Sequence, residues 1–209
     1  NTGTSINSPW KTISKVNSFQ FGAGSTIHFK RGEQWRETLT IDRSGTQNNP
    51  ITFTNYGSGH LPIIYGSRKL TGWVASGSQF RVAHTAANIF FESSIDNMKW
   101  GNRKNSQTAV TGNYDFYVGG GYTYVKDTTY YSIESPQRTN GIYVSSGVKY
   151  VVIDGIDIRH AIEGGIEGRN VWYSIIQNCY SWYNGAEFDE LGEGIYWIAG
   201  KYNIIRGNI

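Results

Sequence analysis

A repeat in the last third of the chain constrains the fold more than any other feature of the sequence. Three Gly-Ile pairs begin at Gly141, Gly165 and Gly194, at spacings of 24 and 29 residues. Each pair is followed by an apolar anchor in the next strand-like segment, at Ile153, Ile176 and Ile205. Apolar and polar residues alternate around these landmarks, and no helical pattern lies between them. The sequence therefore predicts a solenoid of short parallel strands, in which each turn buries its inner face only by stacking on its neighbours.

A residue that tolerates a left-handed backbone recurs two positions after each anchor, as Gly155, Asn178 and Gly207. One such residue per turn is typical of a chain that bends sharply between two strands. The longer second spacing indicates a loop inserted at residues 186–192.

The rest of the chain is less regular. Residues 8–16 predict a short helix with Ser8 as N-cap and Pro9 in the first position, suited to cap the solenoid. Residues 72–136 break the repeat and predict antiparallel strands, with a hairpin that turns at Gly119–Gly121. We therefore divide the chain into a cap with the first turns (1–71), a β insertion packed on the solenoid (72–136) and regular turns (137–209).

The strand pattern is still running at Ile209, which leads us to expect truncation there. A further chain or a missing C-terminal segment would cover the open end, because an exposed strand edge invites aggregation.

Composition narrows the function classes. The net charge is +3 and the basic residues are scattered, which disfavours a nucleic-acid stripe and favours an anionic polymer, with an unspecialised surface as the alternative. The chain has a single cysteine, Cys179, which excludes an internal disulfide. Cys179 is predicted to be a core residue. No apolar stretch approaches 18 residues, so no membrane span is predicted.

Two groups of motifs carry a resemblance. The opening Gly3-Thr4-Ser5 with Pro9–Ile13, together with the Gly-Ile pairs and the Ile204–Asn208 run, resembles the pectate-lyase-like superfamily of right-handed parallel β-helices. The resemblance covers residues 1–65 and 137–209. It implies a secreted or cell-surface protein. The expected function is an enzyme that degrades an acidic polysaccharide, a lyase in preference to a glycoside hydrolase. The alternatives are a non-catalytic glycan-binding or adhesive β-helix, or one half of a split solenoid. The superfamily's pectate lyase and polygalacturonase signatures are absent, so the reaction stays open.

Side chains on one outer face of the predicted solenoid are the main candidates for chemistry. The alternation places Tyr143, Glu167 and Tyr196 in one outward column, with Glu193 at its edge and Arg169 beside Glu167. Aromatic rings stack on sugars and carboxylates accept hydrogen bonds from hydroxyls, so Tyr143 and Tyr196 are predicted to bind substrate. Glu167, Arg169 and Glu193 are the candidate catalytic residues, and a solvated face is the alternative.

The inserted loop concentrates carboxylates at Glu187, Asp189 and Glu190, close to Glu193. Such a cluster favours Ca²⁺, which takes six to eight oxygen ligands and would bridge to a uronate for β-elimination. A solvated acidic loop, or a carboxylate pair for hydrolysis, are the alternatives. His160 and Trp182 complete the predicted substrate contacts, against the alternatives of a turn histidine and a core tryptophan.

Overall fold

The computed structural model describes residues 2–185 and 193–209, which are nearly all β-structure with one short α-helix and one 3₁₀ turn. The helix is α1 (Ile13–Asn17). The strands, in chain order, are β1 (Thr26–Lys30), β2 (Gln34–Trp35), β3 (Leu39–Ile41), β4 (Ile51–Tyr56), β5 (Ile63–Tyr65), β6 (Ser67–Lys69), β7 (Val74–Ser76), β8 (Gln79–Val82), β9 (Phe90–Ser94), β10 (Asn97–Trp100), β11 (Asn102–Arg103), β12 (Asp115–Gly119), β13 (Tyr122–Val125), β14 (Ser132–Pro136), β15 (Asn140–Val144), β16 (Val151–Asp154), β17 (Asp157–Arg159), β18 (Gly164–Arg169), β19 (Ile175–Gln177), β20 (Tyr180–Trp182), β21 (Glu193–Ile198) and β22 (Ile204–Arg206).

The strands fall into two compact units. Among the described residues, the first contains those up to Gly66 and, after the chain returns, Arg138–Gly185 and residues 193–209, whereas the second contains Ser67–Gln137. The exit and return points lie side by side within the first unit, because Arg138 donates its backbone N–H to the Gly66 carbonyl at 2.8 Å.

Three parallel sheets make up the first unit. Sheet A has the order β1-β4-β16-β19-β22, sheet B has β2-β5-β17-β20 and sheet C has β3-β15-β18-β21. The chain passes through A, B and C in the same order in every turn, and the excursion through the second unit lies between β5 and β15. Turn therefore stacks on turn, and the repeated isoleucines become neighbours on adjacent strands, as at Ile142, Ile166 and Ile195.

The Gly-Ile repeat has a steric cause inside this unit. A Cβ atom added to Gly141 would lie 2.2 Å from Cγ2 of Ile158, and one added to Gly165 would lie 2.1 Å from Oγ of Ser181. The following isoleucines, Ile142 and Ile166, are fully buried in the apolar core. Two successive residues thus face the interior at this corner, and only glycine leaves room for the first of them.

The N-terminal helix begins at Ile13, so the prediction of a helix from residue 8 with Ser8 as N-cap is wrong. Thr12 is the N-cap, and its hydroxyl accepts the backbone N–H of Lys15 at 3.2 Å. The Glu37 carboxylate accepts the N–H groups of Ile13 and Ser14 at 3.2 and 2.7 Å. Glu37 lies 24 residues after Ile13 in the sequence. It fixes where the helix starts, because it accepts hydrogen bonds from N–H groups of the first turn that have no partner within the helix.

The second unit has different strand pairing. Strands β6, β14, β9 and β10 form an antiparallel sheet, and β7, β8, β13, β12 and β11 form a sheet that is antiparallel except for the β11–β12 pair. The predicted hairpin is β12–β13, and it turns at Gly120 and Gly121, both with positive φ. This unit has its own apolar core, built around Phe91, Phe116 and Val125.

Two further points concern the interior. Cys179 is fully buried, and burial raises the pKa of its thiol to about 11, as expected for a core residue. In the described part of the chain, no helix has the length and apolar character needed to cross a membrane.

Candidate functional site

The outer face of sheet C brings the predicted column into register. Tyr143 of β15 pairs with Glu167 of β18, and Glu167 pairs with Tyr196 of β21, while Thr40 of β3 continues the row on the other side. Adjacent parallel strands lie about 4.8 Å apart, so these side chains stand one strand spacing from each other. Both tyrosines are partly exposed. We call this row and its flanking residues the sheet C face.

Glu167 is the anchored group of this face. Its residue is only 6% exposed, yet both carboxylate oxygens have partners. The Asn140 side-chain amide donates to Oε2 at 2.8 Å, and Nε of Arg169 donates to Oε1 at 2.8 Å. A carboxylate held by two donors on neighbouring rows has a fixed position and orientation, as a catalytic carboxylate requires.

Arg169 joins the carboxylate to the aromatic rings. Its guanidinium lies 5.4 Å from the centre of the Tyr196 ring, in the range of a cation–π contact. The hydrogen bond to Glu167, with the attraction of its negative charge, raises the pKa of Arg169 above its ordinary value. Half of the Arg169 side chain is exposed, so the cation remains accessible from solvent while its Nε is committed to Glu167.

A gap in the face lies next to Glu167. Asn140, Gly164 and Glu193 form the row before the column, with Gly164 in the middle. A Cβ atom added to Gly164 would lie 3.5 Å from the Asn140 amide nitrogen and 3.8 Å from Cβ of Tyr196, which are ordinary contacts. Gly164 therefore faces the same side as Tyr196, and its missing side chain leaves a notch between Asn140 and Glu193. Gly164 and Asn140 are buried, whereas Glu193 is exposed at the edge of this notch.

Asn140 is a functional candidate that the sequence reasoning missed. It is 6% exposed, donates to Glu167, and is itself fixed because the Thr38 hydroxyl donates to its backbone carbonyl at 2.8 Å. The repeat shows only that Asn140, Gly164 and Glu193 each precede a Gly-Ile pair in the same register, and it does not indicate which way their side chains face.

Two predicted substrate contacts lie elsewhere. Trp182 belongs to β20 of sheet B, where the Arg159 guanidinium lies 5.4 Å from its ring centre. His160 is fully buried, so its imidazole is closed to a polymer in solution, and it does not belong to the site proposed below. The turn-histidine alternative describes its position, since its φ is +59°. Glu187, Asp189 and Glu190, the predicted Ca²⁺ ligands, lie outside the described residues.

The environment of His160 makes it a pH-sensitive element of the fold. Burial lowers the pKa of its imidazole well below the ordinary value, and the positive charges of Arg159 and Arg36 lower it further. The unfolded chain binds a proton at this residue below about pH 6.5, whereas the folded protein does not. The contribution of His160 to stability is therefore present above about pH 6.5 and is lost as the pH falls from there toward the folded-state pKa.

We expect the free energy of unfolding to fall by about 1.4 kcal/mol per pH unit from this residue alone as the pH drops below about 6.5. The variant His160→Asn keeps a residue that accepts positive φ but cannot titrate. Urea unfolding between about pH 7 and about pH 5 should show a shallower pH dependence in this variant than in the wild type. Equal slopes in the two proteins would show that His160 titrates alike in the folded and unfolded states.

The described residues contain no group of three or more His, Cys, Asp or Glu side chains placed to hold a metal ion. The sheet C face instead offers one anchored carboxylate, one exposed carboxylate, an accessible guanidinium and two partly exposed phenol rings around a notch. Such a set can contact a polyhydroxylated ligand by ring stacking and hydrogen bonds, and can transfer protons through its carboxylates.

Comparison with known proteins finds structures with a similar fold but no matching sequence. No protein-family model and no curated protein sequence matches the chain. A structure of XylC in complex with xylose superposes with a TM-score of 0.57 at 14% identity, over 84% of this chain and 38% of that one. The GH136 lacto-N-biosidase from Eubacterium ramulus gives 0.56 at 16% identity, over 98% of this chain and 31% of that one.

A third structure, described as a glycoside hydrolase, gives a TM-score of 0.58 at 8% identity, over 77% of this chain and 55% of that one. At these identities the likeness concerns the fold alone. This chain spans less than two thirds of the length of each of these three proteins.

Proposed function

We propose that the protein is a carbohydrate-active enzyme that cleaves a polysaccharide on the sheet C face, by hydrolysis. The observation that carries the proposal is the row Tyr143–Glu167–Tyr196, in which an anchored carboxylate stands between two partly exposed rings. Rings one strand spacing to either side suit successive sugars of a chain that crosses the strands. The fold shared with a glycoside hydrolase and a lacto-N-biosidase supports the same class of chemistry.

The proposed roles follow from the environments of the two carboxylates. Glu167, held by Asn140 and Arg169, is the carboxylate that attacks the anomeric carbon or activates water. Glu193, exposed and across the notch from Asn140, is the acid that protonates the leaving oxygen. Glycoside hydrolysis uses such a pair about 5–9 Å apart, and the separation decides whether configuration is retained or inverted. Asn140 and Arg169 are positioning residues in this scheme.

β-Elimination by a lyase is the second candidate, favoured by Arg169. An accessible guanidinium beside two phenol rings can neutralise a uronate carboxylate, and a phenol can serve as the base. A Ca²⁺ ion held by Glu187, Asp189 and Glu190 would strengthen this candidate, because it would add a second cation for the uronate. Both candidates fit an acidic glycan, given the net charge of +3.

The broader proposal has three further parts. The first unit is a right-handed parallel β-helix, which agrees with three parallel sheets visited in constant order. The protein acts outside the cell, secreted or at the cell surface, where polysaccharides of this class are found. A further chain or segment covers strand β22 at the edge of sheet A.

One assay separates the candidates. The protein is incubated with neutral polysaccharides (xylan, β-glucan) and acidic ones (polygalacturonate, alginate), with and without Ca²⁺. New reducing ends and the ultraviolet absorbance of unsaturated uronates are followed together. Hydrolysis predicts reducing ends without absorbance, and elimination predicts both signals. Neither signal on any polymer, with retained binding to one of them, would contradict the enzyme proposal and support a non-catalytic glycan-binding protein.

A further inference from the structure

A second surface of the first unit carries aromatic and basic side chains that the sheet C face does not use. It lies in the turns from sheet C to sheet A and consists of Lys149, Tyr150, Trp172, Tyr173, Lys201 and Tyr202. We call it the corner ridge. Lys149, Trp172 and Lys201 are joined as parallel bridge partners on successive turns. Each turn therefore places one residue of this row directly beside the next.

The three tyrosines of the corner ridge form a stack. The rings of Tyr150 and Tyr173 have centres 5.0 Å apart at an interplanar angle of 11°, and those of Tyr173 and Tyr202 have centres 5.0 Å apart at 8°. Tyr173 is 44% exposed. Because the rings cover one another's faces, the stack presents its edges and hydroxyl groups to solvent as a column with a repeat of one strand spacing.

Backbone preference does not account for tyrosine at these positions. All three have left-handed backbones, with φ of +55°, +54° and +59°. A left-handed backbone costs a residue with a bulky side chain more than it costs Asn. Asn occupies this backbone region at Asn170, in the same turn as Tyr173, and at Asn178, in the turn from sheet A to sheet B. Tyr183 and the buried His160 have the same backbone conformation in the turns after sheet B, so the conformation alone does not distinguish the corner ridge. Its three tyrosines differ in that their rings stack in register on successive turns.

The charges of the corner ridge indicate that its ligand is negatively charged. Lys149 and Lys201 are both exposed and lie two turns apart, on either side of Trp172. Within residues 2–185 and 193–209, neither ammonium group is paired with a carboxylate. Lys149 lies 5.0 Å from the centre of the Trp172 ring. Two uncompensated cations beside a column of hydroxyl groups fit a polymer that repeats both anionic and hydroxyl groups.

We propose that the corner ridge binds an acidic polysaccharide laid along the stacking direction of the turns, independently of the sheet C face. Ammonium groups pair with the carboxylates or sulfates of the polymer, and the phenol hydroxyls hydrogen-bond its hydroxyl groups. A nucleic acid fits less well, because Tyr173 is covered by a ring on both faces and Tyr150 and Tyr202 on one face each, so the column offers no series of open faces to successive bases. The inference does not depend on cleavage at Glu167.

Binding to polygalacturonate, with neutral dextran as the comparison polymer, tests the proposal by affinity electrophoresis at several salt concentrations. The double variant Lys149→Gln/Lys201→Gln should bind polygalacturonate about tenfold more weakly than the wild type, with a weaker salt dependence. The matched control Lys11→Gln/Lys30→Gln removes the same charge from exposed sites elsewhere and should bind like the wild type.

The weaker binding of the Lys149→Gln/Lys201→Gln variant should appear whether or not the wild type cleaves polygalacturonate, which separates this proposal from the proposed reaction. Three results would overturn the assignment. The two lysine double variants could lose equal affinity, which would indicate general charge attraction. The Lys149→Gln/Lys201→Gln variant could bind like the wild type, which would place the polymer elsewhere on the protein. The wild type could bind dextran as well as polygalacturonate, or bind neither.

Discussion

Replacing Glu167 with Gln is expected to lower the rate of glycan cleavage by at least about a hundredfold, the effect of removing a positioned acid or base. Gln has nearly the same shape, so the substitution removes the carboxylate and little else. The amide nitrogen must face either the Asn140 amide or the Arg169 guanidinium, both of which are donors. We therefore expect an accompanying loss of about 1 kcal/mol in stability, which leaves the protein folded.

The control for this variant is Glu33→Gln. Glu33 is an exposed carboxylate of the first unit that pairs with Lys30 at 3.4 Å, away from sheet C. Initial rates of reducing-end release, measured for both variants on the polymer that the wild type cleaves best, should fall only for Glu167→Gln. Comparable rates for the wild type and Glu167→Gln would remove Glu167 from the reaction and leave the sheet C face with no catalytic carboxylate but Glu193.

Gly165→Ala is expected to destabilise the first unit by about 1–3 kcal/mol, the usual effect of overpacking. The added Cβ would lie 2.1 Å from Oγ of Ser181 and 2.7 Å from both the Asn184 amide nitrogen and the Gly194 carbonyl oxygen. The first two atoms belong to a connected set, since Asn184 donates to Ser181 at 2.9 Å and Ser181 donates to the Gly194 carbonyl at 2.7 Å. Relief of the clash requires these hydrogen bonds to break.

The adjacent glycine supplies the matched control. Gly164→Ala adds the same methyl group at 3.5 Å or more from its neighbours, at a buried position without a positive φ, and should leave stability unchanged or raise it by up to about 1 kcal/mol. Urea unfolding of the two variants, followed by circular dichroism, gives the comparison. Equal effects of the two substitutions would show that the corner between sheets B and C is not packed as described.

The Gly-Ile repeat predicted the fold of the first unit because it arises from a steric requirement of the packed turns. Gly141 and Gly165 are glycines because the interior has no room for a side chain there, and Ile142 and Ile166 follow because they fill the core. The alternation after each pair predicts one register for Tyr143, Glu167 and Tyr196, and the strand pairing gives the same register. Features that repeat along the chain and depend on packing between adjacent turns could therefore be predicted from the sequence.

Features set by contacts between distant residues were not accessible. The start of α1 depends on the Glu37 carboxylate. The burial of His160 depends on the residues that pack around the turn after β17. The role of Asn140 also escaped the alternation rule, because two residues face inward at the Gly-Ile corner and the outward row shifts by one position. Local periodicity cannot report such a shift without the packing that causes it.

The most direct test is a structure of the Glu167→Gln variant with an oligosaccharide of the polymer that it binds. The account predicts sugar rings on the sheet C face, in contact with Tyr143 and Tyr196 and with a glycosidic oxygen near the notch at Gly164. A second sugar chain on the corner ridge is compatible with this result. Sugar bound elsewhere in the first or the second unit, with Tyr143, residue 167 and Tyr196 free of ligand, would contradict the account.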